Sequence, residues 1–296
     1  MGSSHSSNRQ LNSHWRSTIA SASLLLFGFG LLYWNVLVKL VHDWWFDDNY
    51  SHGFLIVPIA LYFVWQRRHR LAATPSAPSQ IGLVIVAGSV GVLLLGILGS
   101  ELFLTRISML GTLVGAVLFL FGWQRLLVLA FPLAFLLLMI PLPALIFNQI
   151  AFPLQLLASQ AGEVTLRSVD IPVLREGNVL ILATTKLEVA EACSGIRSLV
   201  SLLTLGIMIG YFTDRRAWVR CLIAISTIPI AVITNGARVA GTGMAAHRFG
   251  PAAAEGFFHE FSGWIIFLLA FVLMMALQRI IVRLAPPAAS PVALAS

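Results

Sequence analysis

IGLVIVAGSVGVLLLGIL (Ile81–Leu98) decides the fold: 18 consecutive residues carry no charge. As a helix this run is roughly 27 Å long, close to the roughly 30 Å hydrocarbon core of a bilayer. The same pattern recurs on both sides of it. Working outward, apolar runs occupy Ser17–Val38, Gly53–Trp65, Ile107–Gly122, Leu126–Ile140, Cys193–Phe212, Ala217–Ile233 and Phe261–Ile281. With Ile81–Leu98 they predict an all-α polytopic membrane protein of about eight transmembrane helices. The shorter runs must borrow flanking residues to cross. A closed β-barrel would read instead as alternating ten-residue segments.

Composition agrees. Of 296 residues, 58% are hydrophobic and only 10% are charged, with a mean hydropathy of +0.88. Ordinary soluble domains carry about 25% charged residues. The net charge of +7 comes from arginines in short loops rather than from a basic face with interleaved aromatics. That pattern argues against a nucleic-acid partner and for contact with membrane lipid.

Eight crossings put both termini on one side. The loops on that side hold eleven basic residues and one acid, Asp214, with clusters at Arg67–Arg70 and Asp214–Arg220. The opposite loops, taken to include Asp43 and Arg106, hold eight basic residues and eleven acids. Basic residues near span ends orient helices, so both termini are expected in the cytoplasm. Residues 1–16 read as a polar N-terminal tail with a tag-like start, 17–284 as one transmembrane domain, and 285–296 as a disordered tail. Leu71–Gln80 reads as a Pro/Ser linker.

Residues 141–192 are the one sizeable stretch outside the spans. Apolar residues at Ile146, Ile150, Leu154, Leu157 and Ala161 predict an amphipathic helix lying in the interface, broken or bent near Pro153. Val179–Leu182 and Leu187–Val189 predict a β-hairpin, with a turn at Glu176-Gly177-Asn178. Together they would form a small extracytoplasmic cap running into Cys193.

Cys193 and Cys221 fall at opposite membrane faces, which argues against a disulfide. No Cys/His spacing suits a metal, and no cofactor is expected. Cys193 sits at a predicted helix start, where unpaired N–H groups favour the thiolate. Arg238 follows the outer end of the seventh run and His259 precedes the eighth. A thiol, a guanidinium and an imidazole thus share one face of the membrane, as a nucleophile, a proton carrier and an oxyanion stabiliser would. Glu191, Ser194, Gly195, Arg197, Asn235 and His52 are supporting candidates. Asn235 would bond within the site or cap a helix end, and His52 would serve the site or anchor at the interface.

EACSGIRSL (Glu191–Leu199), NGARV (Asn235–Val239), the lone His259 and YSHG (Tyr50–Gly53) together resemble the exosortase family of bacterial membrane transpeptidases. The resemblance spans roughly Trp44 to Arg283. It implies a cysteine peptidase of the inner membrane with Cys193, Arg238 and His259 as catalytic triad. Its substrates would be secreted proteins with a PEP-CTERM-type ending: a Pro-Glu-Pro-like motif, a membrane span and a basic tail. Cleavage would pass the new C-terminus to an acceptor nucleophile, in connection with exopolysaccharide or surface-protein export. A transporter, or a non-catalytic scaffold of an exopolysaccharide export system, is the competing reading.

Overall fold

The computed structural model describes residues 4–183, 185–189, 196–214, 216–250 and 257–285. These gather into two compact units, residues 1–143 and 144–296.

The first unit contains α1 (Ser4–Phe46), α2 (Gly53–Gln66), α3 (Arg68–Ala73), α4 (Ile81–Leu98), α5 (Leu102–Phe121) and α6 (Trp123–Phe135), followed by a 3-10 turn at Leu136–Met139. α1 includes most of the stretch read as a tail. α4 and α5 pack at a glycine contact, where a side chain on Gly115 would meet the Gly82 carbonyl at 2.9 Å. The other face of α4 is bare, with Val84, Leu95 and Leu98 71%, 64% and 83% exposed. Apolar surface on that scale belongs against lipid.

The residues read as a linker are held in place. Ala77 N–H and Ser79 N–H donate to the Phe121 and Leu118 carbonyls at the end of α5, and Arg125 Nε donates to Thr74 O at 3.0 Å. Arg106 is not a loop residue. It lies within α5, 3% exposed, and pairs with Asp43 near the end of α1. A buried guanidinium needs such a partner.

The second unit contains α7 (Ala144–Ser168), a three-stranded antiparallel sheet, α8 (Ile196–Thr213), α9 (Ala217–Phe249) and α10 (Phe257–Leu284). The sheet, β1 (Val173–Glu176), β2 (Val179–Leu182) and β3 (Lys186–Glu188), is a meander in that order. Its register pairs Val173 with Leu182 and Leu180 with Leu187. These four side chains share one face by strand alternation, and all are buried. The turn predicted at Glu176-Gly177-Asn178 joins β1 to β2, with Gly177 at φ +63°, as the first central position of a II′ turn requires. β1 was missed because Pro172 precedes it and it offers only two apolar residues.

One sequence expectation for α7, a break at Pro153, needs correction. The helix runs unbroken through Pro153. Its expected apolar stripe is its outer face, with Ile146, Ile150 and Leu157 exposed. The packed face is instead Ala151, Ala158, Gly162 and Leu166. Small residues win that face because they let two helix backbones approach closely.

α9 serves two cores. Its middle packs with α8 and α10 through Leu202, Ile230, Ala231, Ala270 and Met274. Its later half packs with α7 and the sheet through Val239 and Ala246, against Ala158, Leu166, Leu180 and Leu187. Among the described residues, four helices are long and apolar enough to cross a membrane: α4, α5, α9 and residues 261–284 of α10. A fifth crossing is added if the pair 123–139 and 144–168 is taken as one broken span.

Candidate active site

The block Asn235-Gly236-Ala237-Arg238-Val239 lies inside α9, with Arg238 11 residues before its end at Phe249. The seventh apolar run was expected to stop at Ile233, so Asn235 is not a helix cap. At 100° per residue, the motif's side chains point to different neighbours. Gly236 faces α7, where a Cβ would meet Ala161 Cβ at 2.7 Å. Val239 fills the hollow over Gly162, and Gly243 faces Leu166. Arg238 points to the other side, against α10.

There its guanidinium lies on Gly263. A Cβ at position 263 would sit 3.3 Å from Nη2, 3.5 Å from Cζ and 3.9 Å from Nη1. Near-equal distances to three atoms of a planar group place Gly263 over the plane, not beyond an N–H edge. The guanidinium therefore stacks face-on against α10, and its N–H bonds run alongside that helix. Gly263 is one turn after His259, and residues four apart share a helix face. The His259 side chain lies outside the described residues, as do Glu191, Cys193, Ser194 and Gly195.

Helix register gives the level of the start of α8. Gly210 meets Arg220, Gly206 meets Thr227, and Leu202 shares a core with Ala231. These pairs run antiparallel. Ile196, six residues before Leu202, is about 9 Å above that layer; Arg238 and Gly263, each seven residues from Ala231 and Ala270, are about 10 Å above it. The start of α8, the guanidinium and the turn after His259 therefore share one level. Cys221, exposed on α9, is 17 residues from Arg238, about 26 Å along the same helix.

Among the supporting candidates, Asn235 is 5% exposed and lines a hollow with Leu154, Ala231 and Val232. That hollow, ≈ 10 Å³, is about the size of one water. Arg197 is exposed on the first turn of α8. Glu163 accepts from Arg175 Nε at 2.8 Å and pairs with Arg167, tying the sheet to α7.

His52 belongs to the first unit and precedes α2. Its Nε2 lies 3.2 Å from Leu138 O. A carbonyl only accepts, so Nε2 carries the proton. Burial lowers the imidazole pKa, against the pull of the Leu138 carbonyl. The next residue, Gly53, leaves room for the Trp44 indole, whose Nε1–H donates to Met139 O at 2.9 Å. His52 and Trp44 thereby hold the carbonyls that the 3-10 turn leaves free ahead of Pro141. Burial also raises the pKa of nearby Tyr50.

The connection between α8 and α9 is a separate charge cluster. Asp214 accepts from Arg216 Nη2 at 2.6 Å, and that side-chain bond, with one from the Arg216 backbone, lowers its pKa to about 2. Arginines of the two basic clusters lie over rings: Arg68 over Trp65 at 4.1 Å, Arg220 over Tyr211 at 4.8 Å and Arg216 over Trp218 at 5.5 Å. Among the described residues no group of three His, Cys, Asp or Glu side chains could hold a metal ion.

Sequence reasoning did not single out Gly263, and no motif surrounds it. Its only signal was its place one turn past His259 in an otherwise bulky run.

The long apolar helices and their bare outer faces define a helical membrane protein. Residues 44–276 match the family described as Transmembrane exosortase (Exosortase_EpsH), and the chain belongs to that family. No curated protein and no solved structure matches the chain.

Proposed function

We propose that this protein is a membrane-embedded cysteine transpeptidase or endopeptidase. It cleaves C-terminal PEP-CTERM-type sorting signals of secreted proteins, in service of surface-protein or exopolysaccharide export. The observation that carries this reading is the position of Arg238: stacked on α10 one turn from His259, at the level where α8 begins, three residues after Cys193.

In this reading Cys193 Sγ attacks the scissile carbonyl carbon. The carbonyl oxygen becomes an oxyanion, which Arg238 balances through its N–H donors. The C–N bond breaks, His259 protonates the leaving amine, and a thioester remains on Cys193. His259 then takes the proton of the acceptor nucleophile as it attacks the thioester, and the thiolate leaves.

The same reading gives the chain eight crossings, both termini in the cytoplasm of a bacterial cell, and a site on the outer face of the inner membrane. Its support is the basic loops with arginine–aromatic stacking, which suit an interface, and the length of α9. Arg238 is 21 residues beyond Ala217, about 32 Å along the helix and close to one hydrocarbon thickness.

The test is a secreted reporter ending in a Pro-Glu-Pro motif, a span and a basic tail, co-expressed with the protein. Cys193→Ala should leave it whole at unchanged enzyme abundance, and Cys221→Ala should process it normally. Full processing by Cys193→Ala would end the thioester reading. Topology reporters at Ser76 and Asp214 should report cytoplasm, and one at Asn178 the outside. A cytoplasmic signal at Asn178 would put the site on the wrong face.

A further inference from the structure

We propose that Gly263 is a positioning residue: its missing side chain sets the plane and depth of the Arg238 guanidinium, and so the direction in which that group's donors point. The inference rests on the reading of Arg238 as the group that meets the substrate carbonyl.

The geometry is specific. Nη2 and Cζ lie 3.3 and 3.5 Å from where a Cβ would stand. Helix α10 elsewhere has bulk to spare along its length, with Phe261, Trp264, Ile265, Phe267 and Leu268 around this position. At 263 there is no side chain, and a planar group lies flat against the helix there. A stacked guanidinium can tilt little toward α10, because the helix closes that face of it. Its N–H bonds then lie in a plane fixed by the helix rather than by the flexible arginine stem. A forked donor is useful to a carbonyl oxygen only at a set angle and distance, so fixing the plane is a direct contribution to the reaction.

A side chain at 263 pushes this plane outward. Alanine adds a contact of 3.3 Å to Nη2, tight but relieved by a few tenths of an ångström. Valine adds branches that move the group further, and a displacement on the order of 1 Å at a catalytic group costs about 10²-fold in rate. Gly263→Ala should therefore slow reporter processing by about 10-fold or less, and Gly263→Val by about 10²-fold, both at normal abundance. Substrate affinity should change little.

The experiment is a double-mutant cycle between Gly263→Val and Arg238→Lys, read as initial processing rate of the reporter described above. An ammonium has no plane to set. The double variant should therefore be no slower than Arg238→Lys alone. If Gly263 merely permits helix packing, the two losses multiply and the proposal is overturned. A second cycle needs no activity. Gly263→Val should lower the melting temperature of the detergent-solubilised protein in the wild-type background and not in Arg238→Ala, where the obstructing group is gone. Equal shifts in both backgrounds would overturn the proposal even if no substrate is processed. Failure of the functional reading looks different: Cys193→Ala processes the reporter, or wild type does not, while the melting cycle still shows coupling.

Discussion

The Trp44 indole fills the space a side chain at Gly53 would need, and its Nε1–H donates to the Met139 carbonyl at 2.9 Å. Two elements far apart in sequence, the end of α1 and the 3-10 turn, meet there over a single glycine. The YSHG block is thus a clasp in the first unit: His52 holds Leu138 O and Gly53 admits the ring that holds Met139 O.

Gly53→Ala should destabilise the protein by about 1–3 kcal/mol, the usual cost of overpacking. Thermal unfolding in detergent is the check. Trp44→Phe on the Gly53→Ala background should recover part of the loss by making room. No recovery would mean the strain lies elsewhere.

His52 gives a pH dependence with a definite sign. Its folded pKa is below the ordinary imidazole value because of burial. Below about pH 6.5 the unfolded chain takes up a proton that the folded chain refuses. Stability is therefore full above that pH and falls as pH drops toward the folded pKa. Melting temperature should fall more between pH 7.5 and 5.5 in wild type than in His52→Gln, which keeps a donor for Leu138 O but does not titrate. Parallel curves for the two proteins would contradict this.

The Asp43–Arg106 pair links α1 to α5, with Arg106 3% exposed and Asp43 30%. Asp43→Leu strands a buried cation and should cost about 3 kcal/mol, the lower end for a broken buried pair. The double variant Asp43→Leu/Arg106→Met should melt above the single Asp43→Leu. A double variant that melts lower still would show that the charge itself is needed.

For the proposed site, Arg238→Lys should reduce reporter processing by about 10²–10³-fold, since it keeps the charge and loses the fork. His259→Gln should reduce it by about 10²–10⁴-fold through loss of proton transfer. Protein abundance by blot must stay equal. Near-normal processing by both variants would return these residues to interfacial anchoring.

How far the sequence could be read follows from what each signal measures. Apolar runs report burial in lipid, and each expected span from 17 to 281 overlaps a helix among the described residues. Helix ends were less legible. Loss of hydropathy after Ile233 looked like the end of a helix, yet α9 continues to Phe249. Its later half packs on α7 on the side of Asn235 and on α10 on the side of Arg238, protein environments that tolerate both. On α7, hydropathy found the exposed apolar face, while close packing between helices selects Ala158 and Gly162, which hydropathy does not flag. At the site, residue types pointed to Arg238 and His259. Gly263 was invisible because its contribution is an absent side chain, which only a neighbour's position reveals.

The contact between α9 and α7 has a mechanical consequence. Gly236 against Ala161, Val239 over Gly162 and Gly243 against Leu166 mesh at backbone distance, like teeth without backlash. Turning α9 about its axis would drive these residues into one another, so its azimuth is locked. The proposed site would therefore not open by a twist of the helix that carries Arg238. Opening of the proposed site would then fall to translation of α10 along its own axis. Spin-label distances between α7 and α9 should accordingly stay constant through turnover, while those from α9 to α10 carry whatever motion there is.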